Sequence, residues 1–252
     1  MARAAVLGRL TWRIGTVIAL RDETPTARTI VLDVPGWPGH APGQHVDLRL
    51  TAPDGYSTER SYSIASPPDG DRLELTVVPV PDGEVSPYLA AVLAGGDQLE
   101  LRGPVGGWFV WRPGTADPVL LVAGGSGLVP LMAMIRTRGQ AGDEAPFRLV
   151  YSVRDAASVL YGDELGGRAR EDRGLEVTYA FTRLAPRGSA RPAGRIDAGL
   201  LRTAGWPPDR APAVFACGPT GFVEAAADLL IDIGHDPQRI KTERFGTSGG
   251  PP

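Results

Sequence analysis

Residues 59–66 bring a guanidinium, an aromatic ring and hydroxyl groups close together in sequence. Because side chains alternate along an extended strand, Arg60 and Tyr62 are expected to share one face. Such a set suits a flavin dinucleotide, with Arg60 bonding the pyrophosphate, Tyr62 against the ring and Ser63 near the reactive ring nitrogen. Ser61 completes the run. An exposed polar strand that binds no ligand is an equally good interpretation of these residues alone.

A glycine-rich turn follows an apolar stretch in the second half of the chain. Gly124, Gly125 and Gly127 come after Val119–Ala123 and precede Pro130, in the pattern Gly-Gly-x-Gly-x-x-Pro. This is not the G-x-G-x-x-G dinucleotide fingerprint, and a glycine turn alone is a weak signal. Its place between a strand and a helix predicts that a pyrophosphate sits on the helix N-terminus, where N–H groups are free. The alternative is a structural turn without a ligand.

The next predicted strand ends in Ser152 and Arg154. An acid at this place commonly binds the ribose hydroxyls of NAD, whereas a guanidinium favours a ribose 2′-phosphate. We therefore expect NADP(H) to be preferred over NAD(H). Asp155 could partly neutralise Arg154, which could equally be a solvated surface arginine.

The composition excludes several classes of function. The 252 residues carry a formal net charge of -3, so there is no basic surplus for nucleic acid, and no apolar run approaches the roughly 20 residues that a bilayer requires. Cys217 is the single cysteine, which rules out an internal disulfide and a four-thiolate iron–sulfur cluster. The three histidines lack the spacing of zinc ligands. Residues 1–10 lack a signal-like apolar core. We expect a cytoplasmic protein with an organic redox centre and no metal.

The first half of the chain is predicted to be all-β. From Trp12 to about Val110, short strand-favouring runs alternate with Gly, Pro and Asp clusters, which is typical of a small closed barrel. Six strands are predicted, at Arg13–Leu20, Ala27–Val34, Gln44–Leu50, Ser61–Ala65, Arg72–Val78 and Gln98–Arg102. A helix is predicted at Val85–Ala94, with Ser86 as its N-cap and Pro87 in its first position.

After the linker-like stretch Arg112–Pro118 the rhythm changes to strand, glycine turn and helix, which indicates an α/β domain. Buried parallel strands are predicted at Val119–Ala123, Phe147–Ser152, Glu176–Phe181 and Ala213–Ala216, with helices at Leu128–Arg138 and Gly221–Ile233 and two shorter helices between them. We place the domains at residues 1–113 and 114–252. The tail Gly246–Pro252 is expected to fray.

In these features the chain resembles the ferredoxin–NADP reductase superfamily, in particular the two-domain flavin reductases that serve oxygenases and flavodoxins. Five motifs carry the resemblance in order between about Trp12 and Gly246: Arg60-x-Tyr62-Ser63, Val78-Pro79-Val80 with Gly83-Glu84-Val85-Ser86, Gly103-Pro104-Val105-Gly106-Gly107-Trp108-Phe109, Gly124-Gly125-Ser126-Gly127, and Cys217-Gly218-Pro219. The resemblance implies a six-stranded antiparallel Greek-key β-barrel that binds FAD, followed by a Rossmann-like parallel α/β domain that binds NAD(P).

The resemblance also implies roles for the remaining candidate residues on the flavin side. Val78, Val80, Gly83, Val85 and Ser86 would take up the pyrimidine edge and pyrophosphate of the flavin. Family members often carry a basic residue where Val78 or Pro79 stands. In this family the third motif lies at the domain junction, so its aromatic residues would line the interface or belong to the core.

On the nicotinamide side, Thr182, Arg183 and Arg195 occupy positions at which NADPH-selective relatives place cations, although each arginine could be a surface residue. Cys217, Gly218 and Pro219 would lie beside the nicotinamide. In the ending Lys241-Thr242-Glu243-Arg244-Phe245-Gly246, Phe245 would cover the flavin ring and Glu243 would assist proton or electron movement. The catalytic set implied is thus Ser63, Cys217, Glu243 and Phe245. Phe245 could instead merely anchor the terminus.

The activity implied is transfer of a hydride from NADPH, or NADH, to FAD, and of electrons from FAD to a separate acceptor such as a ferredoxin, a flavodoxin or an oxygenase component. Three alternatives stay open: a reductase of free flavin, quinone, ferric chelates or oxygen; a flavin-binding redox subunit without turnover; and an interaction module without cofactor. FMN in place of FAD is a further possibility.

Overall fold

The computed structural model describes residues 10–52 and 54–246. This part of the chain forms one antiparallel sheet and one parallel sheet. The predictions for residues 1–10 and for the tail Gly246–Pro252 fall almost entirely outside the described residues. No helix within the described ranges is long and apolar enough to span a bilayer. The cytoplasmic location stays a prediction.

Six antiparallel strands form the first sheet: β1 (Trp12–Asp22), β2 (Arg28–Asp33), β3 (His45–Thr51), β4 (Ser57–Ser63), β5 (Arg72–Val77) and β6 (Gln98–Val105). Their order is β4-β3-β6-β1-β2-β5, in which β6 lies between β3 and β1 as a Greek key requires. A β-bridge between Ile64 and Leu75 joins the two outer strands and closes the barrel. The predicted six-stranded antiparallel barrel is confirmed.

Alternation along the strands explains the barrel core. In β3, Val46 and Leu48 are buried, while Asp47 and Arg49 between and beyond them form ion pairs on the outer side with residues of β6. Because consecutive side chains of a strand point to opposite faces, one apolar residue in two is enough to fill the interior.

Five parallel strands form the second sheet: β7 (Val119–Gly124), β8 (Phe147–Val153), β9 (Leu175–Phe181), β10 (Ala213–Pro219) and β11 (Ile240–Phe245), in the order β11-β10-β7-β8-β9. The helices are α1 (Val85–Ala91), which belongs to the barrel half, and α2 (Leu128–Ala141), α3 (Gly162–Glu171), α4 (Ala198–Ala204) and α5 (Thr220–Asp232). β7 is buried along its whole length, as expected for a strand with packing on both faces. The predicted parallel α/β domain is confirmed.

Several local predictions were wrong. β4 runs over Ser57–Ser63 instead of residues 61–65, and α1 ends at Ala91 instead of residue 94. Ser86 is not the N-cap of α1, because that position is taken by Glu84 and the Ser86 hydroxyl accepts the Val80 N–H at 3.0 Å. Pro87 accordingly lies inside the helix rather than at its first position. The strand β11 was not predicted as a strand at all.

The segment between β6 and β7 is packed against the parallel sheet. Phe109 and Trp111 are buried and meet Phe215 and Phe147 edge to face, at ring centroid distances of 5.5 and 5.1 Å. Of the two candidate interface aromatics, Phe109 is therefore a core residue on the parallel sheet, whereas Trp108 is 64% exposed. The boundary between residues 113 and 114 stays a prediction.

Candidate active site

The two halves of the chain meet where β4 ends beside β11. The Ser63 hydroxyl donates to Glu243 Oε1 at 3.3 Å, across 180 residues of sequence. Glu243 is opposite Cys217 in the β10–β11 register, and Phe245 is opposite Pro219 at the carboxyl ends of the same strands. The fold therefore gathers the four predicted catalytic residues, Ser63, Cys217, Glu243 and Phe245, at one edge of the domain junction.

Burial changes the acid–base properties of two of these groups. It raises the pKa of Glu243 to about 7, and the hydrogen bond from Ser63 offsets only part of this effect. Burial also raises the pKa of Cys217 well above its ordinary value, and the nearby Glu243 carboxyl raises it further. Glu243 can thus hold and release a proton near neutral pH, while burial favours the neutral thiol of Cys217.

The outer part of β4 presents Arg60 and Tyr62. Arg60 is exposed, and its Nη1 donates to Thr58 Oγ1 at 3.1 Å and to the Glu59 carbonyl at 2.7 Å. Among the described residues, Nε and Nη2 of Arg60 have no partner, so the guanidinium can still pair with an anion. Burial raises the pKa of the half-buried Tyr62 to about 12, which keeps its phenol neutral. Ser61 instead faces the barrel neighbours, and its hydroxyl donates to Asp47 at 2.8 Å.

The loop before α1 holds the second predicted motif. Gly83 donates its N–H to the Val80 carbonyl at 3.0 Å, while the Val80 N–H is taken up by Ser86. Val78 and Val80 are exposed, whereas Val85 lies in the barrel core. Val78 and Val80 can therefore contact a ligand directly, and the Ser86 O–H is still able to donate a hydrogen bond to a ligand. The Val85 side chain, which is buried in the barrel core, cannot contact a ligand.

The glycines of the nucleotide turn serve different purposes. A Cβ on Gly127 would lie 2.0 Å from the Cys217 carbonyl oxygen, and a Cβ on Gly124 or on Gly218 would lie 2.5 or 2.8 Å from the Phe222 ring. Gly127 thus lets the start of α2 pack on the Cys217 turn, and Gly124 and Gly218 make room for the Phe222 ring of α5. Gly125 has a φ of 55° and open space where its Cβ would be, so it alone faces a possible ligand. The buried Pro130 lies in the first turn of α2.

The loops after β8 and β9 lie side by side. Arg183 donates its N–H to the Arg154 carbonyl at 2.9 Å, and Thr182 donates to the Val153 carbonyl at 2.8 Å. Arg154 and Arg183 are exposed, and the described residues provide no ion pair for either one.

Two further predictions concern the same edge of the sheet. The Asp155 carboxylate accepts from the Ser158 N–H and hydroxyl, and within the described residues it forms no close ion pair with Arg154. Arg195 is exposed at the end of the long β9–α4 connection, and its carbonyl accepts from Arg191. Ser152 is buried beside Gly124 in the β7–β8 register.

Sequence reasoning missed Arg136 and Tyr161, which connect the second domain to the barrel. Arg136 is buried on α2 and donates to Ala65 O and Glu74 of the barrel. The Tyr161 hydroxyl donates to Thr76. The sequence signal for Arg136 was its position as a charged residue directly after the apolar run at the start of α2.

Comparisons with known proteins agree with this architecture. The family described as "Oxidoreductase FAD-binding domain" matches residues 15–110, and "Oxidoreductase NAD-binding domain" matches residues 121–228. Ferredoxin–NADP reductase B of Sorangium cellulosum is 35% identical over 81% of this chain and 84% of its own length. An NADPH oxidoreductase of Mycobacterium tuberculosis is 30% identical over 93% of this chain and 60% of its own.

Among solved structures, an Amycolatopsis cytochrome P450 reductase superposes with a TM-score of 0.82 at 29% identity, covering 96% of this chain and 73% of that one. The chain spans only 45 to 60% of the length of several other curated relatives. The matches to both domains and the similarity to the Sorangium reductase show that the chain belongs to the ferredoxin–NADP reductase superfamily of oxidoreductases, with an FAD-binding barrel followed by an NAD-binding α/β domain.

Proposed function

We propose that the chain oxidises NADPH with FAD bound between the barrel and the α/β domain and passes the electrons to a separate acceptor protein. The observation that carries this proposal is the Ser63–Glu243 hydrogen bond, which places a proton-holding acid from the second domain against the strand that carries the flavin motif. Residues 1–113 would hold FAD and residues 114–252 the nicotinamide nucleotide.

The residues present fit a flavin dinucleotide. The Arg60 guanidinium has nitrogens free to bind the pyrophosphate, and Tyr62 on the same face of β4 offers a neutral ring and phenol. When bound, FAD accepts a hydride from the nicotinamide and gives up the electrons one or two at a time. Phe245, 36% exposed at the end of β11, would cover the flavin ring and be displaced by the nicotinamide.

Glu243 and Ser63 would manage the proton. A carboxyl with a pKa of about 7 is close to half protonated at neutral pH, which is the condition under which a group both takes and gives protons well. The Ser63 hydroxyl bridges this acid to the flavin strand. Cys217 stays protonated and contributes packing beside the turn of Gly127 and Gly218.

The preference for NADPH rests on Arg154 and Arg183, two exposed guanidiniums on loops that are hydrogen-bonded to each other. Replacing both by Ala is expected to raise the KM for NADPH by about 10- to 100-fold and to leave the KM for NADH nearly unchanged, because a charge-assisted phosphate contact contributes about 1.5–3 kcal/mol. Arg195→Ala is expected to have a smaller effect. Equal changes for both nucleotides would refute the assignment.

A separate acceptor protein is supported by relatives named as reductase components of propane 2-monooxygenase and naphthalene dioxygenase systems. The second candidate is a reductase of small diffusible acceptors, which the exposed junction around Phe245 would also admit. Turnover with quinone or ferric chelates that no added ferredoxin, flavodoxin or oxygenase component increases would favour the second candidate.

The deciding experiment is an anaerobic titration of the FAD-loaded protein with NADPH and with NADH, followed at flavin wavelengths. Bleaching at stoichiometric NADPH is the expected result. A protein that binds FAD but is not bleached by either nucleotide would contradict the proposal, and mass spectrometry of the released cofactor decides between FAD and FMN.

A further inference from the structure

Arg136 links the two domains through contacts on both of them. Nη1 donates to the Ala65 carbonyl and to Glu74 Oε2, each at 3.0 Å, and both acceptors belong to the barrel. Nε and Nη2 donate to the two carboxylate oxygens of Glu164 on α3, at 3.0 and 2.5 Å. The guanidinium also lies 4.9 Å from the ring centroid of Tyr161. A planar fork that satisfies partners on two domains fixes both distance and angle between them.

The contacts of Arg136 lead directly to the candidate active site. Ala65 is two residues after Ser63, so the carbonyl that Arg136 holds lies on the same extended segment as the hydroxyl that meets Glu243. At its other end, the helix that carries Arg136 begins at Leu128, next to the Gly127 turn that packs on Cys217. One rigid helix therefore joins the guanidinium to the nicotinamide-side turn.

Apolar packing on this side of the interface uses small side chains: among the described barrel residues, Ala27 and Ala65 join the apolar core of the second domain. A cavity of about 730 Å³ opens between the domains here, and its lining is charged, including Arg21, Arg72, Glu74 and Glu164. The Glu74 carboxylate forms ion pairs with Arg21 and Arg72, at N···O distances of 2.6 and 3.4 Å, in addition to its ion pair with Arg136. The carboxylate that Arg136 grips is thereby held to the barrel by two further arginines.

A second hydrogen-bonded contact between the two domains lies next to Arg136. The Tyr161 hydroxyl donates to Thr76, Thr76 and Thr29 share a hydrogen bond of 2.7 Å, and Thr29 donates to Glu23 at 2.7 Å. Tyr161 has a φ of 51°, an unusual conformation for a residue with a side chain, and it is buried. Tyr161 thus bonds to the barrel through its hydroxyl and packs its ring against the Arg136 guanidinium.

We propose that Arg136 is a positioning residue for the redox reaction: its clamp on Ala65, Glu74 and Glu164 sets how closely the flavin strand approaches the nicotinamide turn. The inference rests on the proposed function for its kinetic consequence only. The domain geometry that it sets exists in the apoprotein, which allows the clamp and the function to be tested separately.

The chain offers a matched control for Arg136. Arg138 lies two positions further along α2 and is equally buried, but its partners Ala145 O and Asp172 both belong to the second domain. Arg136→Met and Arg138→Met each remove a buried arginine from the same helix. Only the first removes a contact between domains, so a loss of stability alone would affect both variants alike.

The first measurement uses the apoprotein. Cys217 is the single cysteine and is buried, so nitroxide labels can be attached at Val92→Cys on the barrel and Ile231→Cys on the second domain, both exposed positions. The distance distribution from double electron–electron resonance is expected to broaden in Arg136→Met and to match the parent in Arg138→Met. An unchanged distribution in Arg136→Met would overturn the proposal.

The second measurement uses the FAD-loaded protein in anaerobic stopped flow with NADPH. Arg136→Met is expected to lower the limiting rate of flavin reduction by about 10- to 100-fold, with the dissociation constant of NADPH unchanged within about twofold, since small misplacement of reacting groups carries such costs. Arg136→Lys should recover part of the rate, because an ammonium keeps the charge but loses the fork. Equal loss of rate in Arg138→Met would refute positioning. If the parent is not reduced at all, the proposed function fails while the label measurement still decides on the clamp.

Discussion

The buried carboxyl of Glu243 makes the stability of the protein depend on pH in a way that one substitution removes. The pKa rises from an ordinary value of 4.5 to about 7 in the folded chain. At about 1.4 kcal/mol per pH unit, this difference corresponds to about 3 kcal/mol. Glu243→Gln keeps the size of the side chain and an oxygen for the Ser63 hydroxyl, but it cannot ionise.

The direction follows from proton counting. Below pH 4.5, both the folded and the unfolded chain keep the proton, and Glu243 has no effect on stability through ionisation. Between pH 4.5 and about 7, only the folded chain keeps it, so unfolding releases a proton and stability falls as the pH rises. Above that range the full cost of about 3 kcal/mol is present, of which roughly 2 kcal/mol develops between about pH 5.5 and 8.5.

Urea unfolding of the apoprotein measures this cost. The stability of Glu243→Gln relative to the parent is expected to increase by about 2 kcal/mol between about pH 5.5 and 8.5. Ser63→Ala serves as the second arm, because losing a hydrogen bond that lowers the pKa should shift the transition to higher pH. A difference between parent and Glu243→Gln that is the same at every pH would refute the reasoning.

Two further predictions concern the turn beside this acid. Gly127→Ala is expected to lower the free energy of unfolding in urea by about 3 kcal/mol or more, because its Cβ would meet the Cys217 carbonyl oxygen at 2.0 Å. Gly125→Ala has open space around its Cβ and should cost only about 1–2 kcal/mol, because of the positive φ at that position. Similar losses in the two variants would mean that the turn relaxes easily. The Cys217 thiol, buried and with a raised pKa, is expected to resist iodoacetamide in the native protein and to react fully in urea, as judged by intact mass. Rapid native labelling would contradict its burial.

The main strands could be predicted from the sequence because the patterns that identify them are local. Alternation in β3 and the continuous apolar run of β7 each identify a strand without reference to the rest of the chain. β11 was missed because Lys241, Glu243 and Arg244 break its apolar pattern, and it lies at the sheet edge where such residues are tolerated. The alternation of Ile240 and Thr242 with charged residues was the available signal.

The candidate site was predictable in its parts but not in its connections. The arginine, tyrosine and serine of β4 could be selected by chemistry, yet the partner of Ser63 is 180 residues away and only the packing of the domains brings it close. The same holds for Arg136, whose partners Ala65, Glu74 and Glu164 are 71, 62 and 28 residues away. The N-cap prediction for Ser86 failed because its hydroxyl has a competing partner in the Val80 N–H.

The unusual pKa of Glu243 is a property of the domain interface more than of the residue. β11 is an edge strand, so its outer side would be hydrated if the barrel did not cover it. Arg136 holds the barrel segment that supplies this cover through Ala65, two residues after Ser63. If the clamp is released, water should reach the carboxyl and its pKa should return towards 4.5. The Glu243→Gln comparison, repeated by urea unfolding in an Arg136→Met background, should therefore show a smaller change over the same pH range. An undiminished change would mean that the second domain alone buries the acid.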